Sequence, residues 1–164
     1  LAVCHGGSQK NLASHIVDRH TSPDHCCDVP KADNNWLGII LDPQAIPAFP
    51  GLFSFIEQGE EAGQMNVADA CPKELKSQAA QSIEKLRLNA KRLSTRRKPV
   101  IDGLRESVAF LLAQGYELDA AMQELAQSQL RINASQCWPK YFSCIRWYLG
   151  IHAEEQLRRI GYQG

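Results

Sequence analysis

The chain has 164 residues, 44% of them hydrophobic, with 18 basic and 18 acidic side chains and a formal net charge of zero. That size suits one domain with appendages, and the apolar fraction suffices for a modest core. No apolar run approaches the roughly 20 residues that cross a bilayer, and the first residues, LAVCHGGSQKN, lack the basic-then-apolar order of a secretory signal. The expectation is a cytoplasmic protein with reduced cysteines and no membrane contact.

Residues 1–30 show neither helical nor strand periodicity and are expected to be a disordered tail. They hold zinc-type ligand residues: Cys4, His5, His15, His20, His25, Cys26 and Cys27. Their spacing matches no paired Cys-x-x-Cys or His-x-x-x-His template, so no metal and no cofactor is predicted. Adjacent Cys26 and Cys27 are not expected to pair with each other, and Cys144 reads as a small core residue.

Residues 31–71 read as an irregular connector. Trp36–Leu41 is a short apolar run suited to a strand or a packing anchor. Pro43, Pro47, Pro50 and Gly51 then break the chain repeatedly. Leu52–Ile56 suits one helical turn or a short strand, and Glu57–Gly63 a loop.

Helical signal begins at Asp69 and Pro72, the expected cap and first-turn proline. Ala79, Ile83, Leu86, Ala90 and Leu93 then step by fours and threes, which predicts one long amphipathic helix through residues 72–98. Its seam suits a homodimer or packing along the bundle. Pro99 disfavours helical geometry at Lys98, so a second helix is expected from Pro99 to the capping position at Gly115. A third helix is expected over Leu118–Ser128. A fourth is expected over Pro139–Leu149, and a last short one over His152–Ile160 after an interruption at Gly150. The fold class is therefore mainly α: a disordered tail, a long amphipathic helix, then a tri-helical helix-turn-helix-like bundle over residues 99–161.

Neutral net charge conceals a basic block. Residues 73–98 hold Lys73, Lys76, Lys85, Arg87, Lys91, Arg92, Arg96, Arg97 and Lys98 against only Glu74 and Glu84. Cations fixed beside a duplex release counterions and give salt-sensitive affinity with little sequence preference. Lys91, Arg92, Arg96, Arg97 and Lys98 are the candidate phosphate contacts. The helix after Pro139 is the candidate reading helix, with Lys140, Ser143 and Arg146 beside Trp147 on its expected outer face.

The stretch Leu104–Ser135 and the run Arg146-Trp147-Tyr148-Leu149 resemble a helical module of small plasmid mobilisation and conjugal-transfer accessory proteins. Gly115-Tyr116 corresponds to a helix ending in a glycine-aromatic pair, and Ala121–Leu125 to the short helix that follows. Leu130–Ser135 with Arg146–Leu149 corresponds to the last element, with Gln136–Ser143 as an insertion. The resemblance implies a DNA-binding helper of relaxases or a plasmid regulator, with double-stranded DNA as partner. No Walker, Gly-x-Gly-x-x-Gly or His-Glu-x-x-His motif is present, and no enzyme activity is expected. The rival expectation is a protein–protein adaptor that uses the Ile83–Leu93 seam as a coiled coil and the aromatic cluster at residues 138–148 to dock a partner.

Overall fold

The computed structural model describes residues 25–31 and 33–164. The expected tail and its histidines lie, for residues 1–24, outside the described residues. From His25 onward the expectation needs correction. Cys26 is fully buried and Asp28–Lys31 forms one turn of helix, α1. Burial of a thiol-bearing side chain against the domain ties down a stretch that lacks periodicity of its own.

The connector contributes a small antiparallel sheet. β1 (Phe53–Phe55) pairs with β2 (Met65–Val67) in the register Phe53↔Val67, Ser54↔Asn66, Phe55↔Met65. Leu52–Ile56 thus resolves as a strand, and Glu57–Gly63 is the expected loop. Trp36–Leu41 forms turns, and its end acts as the anchor: Leu41 is buried beside Leu52, Cys71 and Ala79. Its N–H donates to Ser82 Oγ at 2.9 Å, and that hydroxyl donates to Gln78 O at 2.8 Å, so the buried serine is fully used.

The expected 72–98 helix is two helices, α2 (Lys73–Lys85) and α3 (Lys91–Ala113), joined by an elbow at Leu86–Ala90. Three features break the rod. Arg87 adopts φ 50, Ala90 is extended at φ −50 and ψ 138, and the Asn89 side chain bonds to β2. Asn89 Oδ1 accepts from Met65 N–H at 2.6 Å, and its Nδ2 donates to Met65 O at 2.9 Å, so one amide satisfies the strand edge as a neighbouring strand would. A coiled-coil seam through Ile83, Leu86, Ala90 and Leu93 is thereby interrupted. Pro99, expected to open a helix, lies inside α3. Its missing N–H removes the usual i→i−4 donor to Thr95 O, and both residues are exposed, so that carbonyl faces solvent rather than the core.

α4 (Leu118–Gln129) lies within one residue of its expected bounds. α5 (Phe142–Arg159) unites the expected fourth and fifth helices across Gly150, whose φ 53 and ψ −126 put a kink there. A conformation of that kind suits glycine and few other residues. α5 starts three residues after Pro139 because Tyr141, in the left-handed region at φ 62, immediately precedes it.

α3, α4 and α5 pack pairwise. Leu104 and Val108 of α3, Leu125 and Ala126 of α4, and Ile145, Leu149, Ala153 and Leu157 of α5 form the main core with Leu130. Leu130, Leu149 and Leu157 are wholly buried, each worth about 1.5–3 kcal/mol of apolar burial. Phe55 and Met65 join Ile101 and Cys144 in a second cluster, which seats the sheet on α3 and α5. The protein is mainly helical, and among the described residues no helix is long and apolar enough to cross a membrane.

Candidate nucleic-acid interface

The elbow sorts the basic block into surface and interior. Lys91, the first residue of α3, is exposed, and so is Arg96. Lys98 is exposed and donates to Asp102 Oδ2 at 2.7 Å, one turn further along the helix. Asp102 also meets Arg105. The Lys98 hydrogen bond is the main reason that the Asp102 carboxyl lies below its ordinary range. Arg92 is half-buried, and its Nη2 donates to Cys26 Sγ at 2.9 Å.

Arg97, expected at the phosphate surface, is only 7% exposed. Its Nη1 donates to Leu88 O at 2.8 Å and to Gly63 O at 3.3 Å, and its guanidinium lies 5.4 Å from the Phe55 ring centre. The reason is a close approach of the β1–β2 loop to α3. Gly63 has φ +84, and a Cβ there would lie 2.3 Å from Ser94 O. Only glycine lets the loop come near enough to fold over Arg97. Burial pulls the guanidinium below its usual range; an arginine remains a cation there. It pins the loop, the elbow and α3 together.

The second group divides the same way. Lys140, in the loop before α5, and Ser143, in its first turn, are exposed. Arg146, expected on the outer face as a base reader, is 8% exposed. Nε donates to Glu154 Oε1 at 2.7 Å, and Nη2 donates to Glu154 Oε2 and to Ala48 O, each at 2.8 Å. The rings of Phe49 and Tyr162 flank it with centres 5.2 and 5.5 Å away. Eight residues of straight helix would separate Arg146 from Glu154 by about 12 Å; the kink at Gly150 brings the pair together. In a helix expected to end at Leu149, a charged Arg146 reads as surface, because the partners that hold it inside, Glu154 and Ala48 O, lie beyond that helix.

Lys91, Arg96 and Lys98 are therefore exposed on the first half of α3, with Arg96 about 140° around the helix from Lys91 at about 100° per residue, and Lys140 and Ser143 are exposed at the start of α5. Arg92, Arg97 and Arg146 serve the interior. Lys73 and Lys76 on α2 and Arg87 in the elbow are exposed cations of the basic block that lie outside the expected contact set. Arg158 and Arg159 at the end of α5 also lie outside it, although two arginines at a helix C-terminus are visible in the sequence.

Other chemistry is sparse. Cys144 is the core residue expected of it: it is 1% exposed, and burial pushes its thiol up to about 11. His152 Nε2 lies 3.5 Å from Asp119 Oδ1. Among the described residues no group of three or more His, Cys, Asp or Glu side chains could hold a metal ion. A cavity of about 450 Å³ between the proline-rich connector and α5 is walled by Pro47, Phe142, Trp147 and Tyr162, with the Arg146–Glu154 pair at its side. The anchors of an aromatic docking surface, Trp138 and Trp147, are half-buried: Trp138 packs on Phe142 and Tyr162, and Trp147 on Phe55. No protein-family model matches the chain, and no curated protein matches it either.

Proposed function

We propose that the protein is a DNA-binding accessory or regulatory protein of the cytoplasm that grips the backbone of double-stranded DNA through the α2–α3 elbow. The observation carrying this reading is the surplus of surface cations in residues 73–98. Lys73, Lys76, Arg87, Lys91, Arg96 and Lys98 are exposed against the exposed acids Glu74 and Glu84. Phosphate contacts of this type set affinity and register without reading bases. With Arg146 held by Glu154, the start of α5 offers Lys140 and Ser143 as its polar contacts, which suits weak sequence preference. The resemblance of Leu104–Leu149 to mobilisation and transfer accessory modules supports a role beside a DNA-processing enzyme. Fluorescence anisotropy with a labelled duplex at low and near-physiological salt tests this. Affinity that falls steeply with salt supports it, and no affinity at low salt removes it.

A second reading, a helical adaptor, draws on a different observation from the seam first expected. Phe110, Leu112, Tyr116 and Leu118 lie at the α3–α4 turn and are exposed to 63, 42, 45 and 54%. Aromatic side chains at such patches are frequent binding anchors. Sedimentation of the protein and of Phe110→Asp over a range of concentrations tests the homodimer form of this reading. A dimer lost in the variant supports it, and a monomer throughout excludes it.

A further inference from the structure

The α2–α3 elbow also holds two sulfur atoms in contact. Cys26 is fully buried, and its Sγ accepts from two donors: Arg92 Nη2 at 2.9 Å and the Cys27 thiol at 3.6 Å. Cys27 is half-buried, and its N–H donates to Leu86 O at 2.8 Å, which fixes the pair to the elbow. The other described cysteines lack this arrangement. Cys144 lies in the core, Cys71 faces Pro72 O at 3.7 Å, and exposed Cys137 faces Ser135 O at 3.4 Å.

We propose that Cys26 and Cys27 are a redox pair that closes to a vicinal disulfide by exchange with a low-molecular-weight disulfide of the glutathione class. Cys27 is the sulfur that the reagent can reach. Its thiolate attacks one sulfur of the reagent disulfide, forms a mixed disulfide and releases one thiol; the Cys27 proton ends on that leaving group. Cys26 Sγ then attacks Cys27 Sγ and displaces the second reagent thiol, which takes up the Cys26 proton. Two cysteine thiols are oxidised to one disulfide, and one reagent disulfide is reduced to two thiols. Arg92 lies against the sulfur that carries negative charge in the second attack, where a guanidinium is worth most.

Adjacent cysteines are not expected to pair because neighbouring Cα atoms lie about 3.8 Å apart, below the roughly 4.4 Å lower limit of ordinary disulfides. That strain makes the bond easily reduced rather than impossible. With the two sulfurs already in contact, the pair is suited to a reversible modification and not to a structural link.

The full chain treated with oxidised glutathione, followed by intact mass and tryptic mapping, tests the proposal. The wild-type protein should lose the mass of two hydrogens, with the link inside the peptide of residues 20–31. Cys26→Ser should stop at a glutathione mixed disulfide on Cys27, and Cys27→Ser should leave Cys26 unmodified. Arg92→Gln should accumulate the mixed disulfide, with ring closure slowed about tenfold. If Arg92→Gln does not fold by circular dichroism, the wild-type and cysteine variants decide alone. A wild-type protein that keeps both thiols, halts at the mixed disulfide, or links either sulfur to Cys4 or another cysteine overturns the proposal.

Discussion

Replacing Arg146 with methionine keeps much of its volume and removes three hydrogen bonds of 2.7–2.8 Å, two to Glu154 and one to Ala48 O. Breaking a buried ion pair from one side costs about 3–5 kcal/mol, because the surviving charge is stranded. Glu154 keeps 18% of its side chain exposed, so water relieves part of the penalty and about 3 kcal/mol is expected. With a urea dependence of about 2 kcal/mol per molar, the unfolding midpoint should fall by about 1.5 M at unchanged slope. The double variant Arg146→Met with Glu154→Leu removes the stranded charge and should return to within about 1 kcal/mol of the parent. Duplex affinity per folded molecule should be unchanged in both. A single variant that is destabilised by less than about 1 kcal/mol, yet no longer prefers one DNA sequence, would refute this reasoning and restore Arg146 as a base contact.

Gly150→Ala should destabilise by about 1–3 kcal/mol: nothing lies within 4 Å of the added Cβ, so the penalty is purely that of φ 53, read as a lower melting temperature. Gly63→Ala should cost more than Gly150→Ala, since its Cβ would also meet Ser94 O at 2.3 Å; equal losses in urea melts would contradict the close approach described for that loop. A chain beginning at Lys31 lacks the buried Cys26 and should melt several degrees lower, on the order of 2–4 °C per kcal/mol of stability removed, whereas an unchanged midpoint would mean that residues 25–30 contribute no packing. The stabilisation from Lys98–Asp102 should be complete above the ordinary aspartate pKa of about 3.9 and fade as pH falls through the lowered value in the folded protein. Comparing urea midpoints of the parent and Asp102→Asn down the acid limb checks that sign, which a difference growing toward low pH would reverse.

The elements visible in the sequence are those set by local chemistry. Gly115 and the apolar spacing of Ala121, Met122 and Leu125 place α4 within one residue, and Gly150 marks the kink in α5. What escaped is set by partners far along the chain. The stripe Ile83–Leu93 runs unbroken through the elbow, because the break is made by Asn89 bonding to Met65, 24 residues away. β2 has three residues, too few for alternation to show. The candidate site suffers in the same way. Arginine in an amphipathic pattern reads as surface, yet Arg97 and Arg146 are held inside by Gly63 O and Ala48 O, acceptors 34 and 98 residues distant. The surface half of the site, Lys91, Arg96 and Lys98, is legible because nothing distant claims it.

The central claim is that exposed cations at the elbow bind duplex DNA through its phosphates. The most direct measurement is the slope of log K against log salt for the parent and for the variant with Lys91, Arg96 and Lys98 all changed to Ala. The account predicts a steep negative slope in the parent, shallower by about 0.9 for each phosphate that the variant no longer neutralises, with equal weakening on unrelated duplexes and no change in stability beyond about 1 kcal/mol. A parent that binds no duplex at low salt, or a variant that binds with the same affinity and slope, would contradict it.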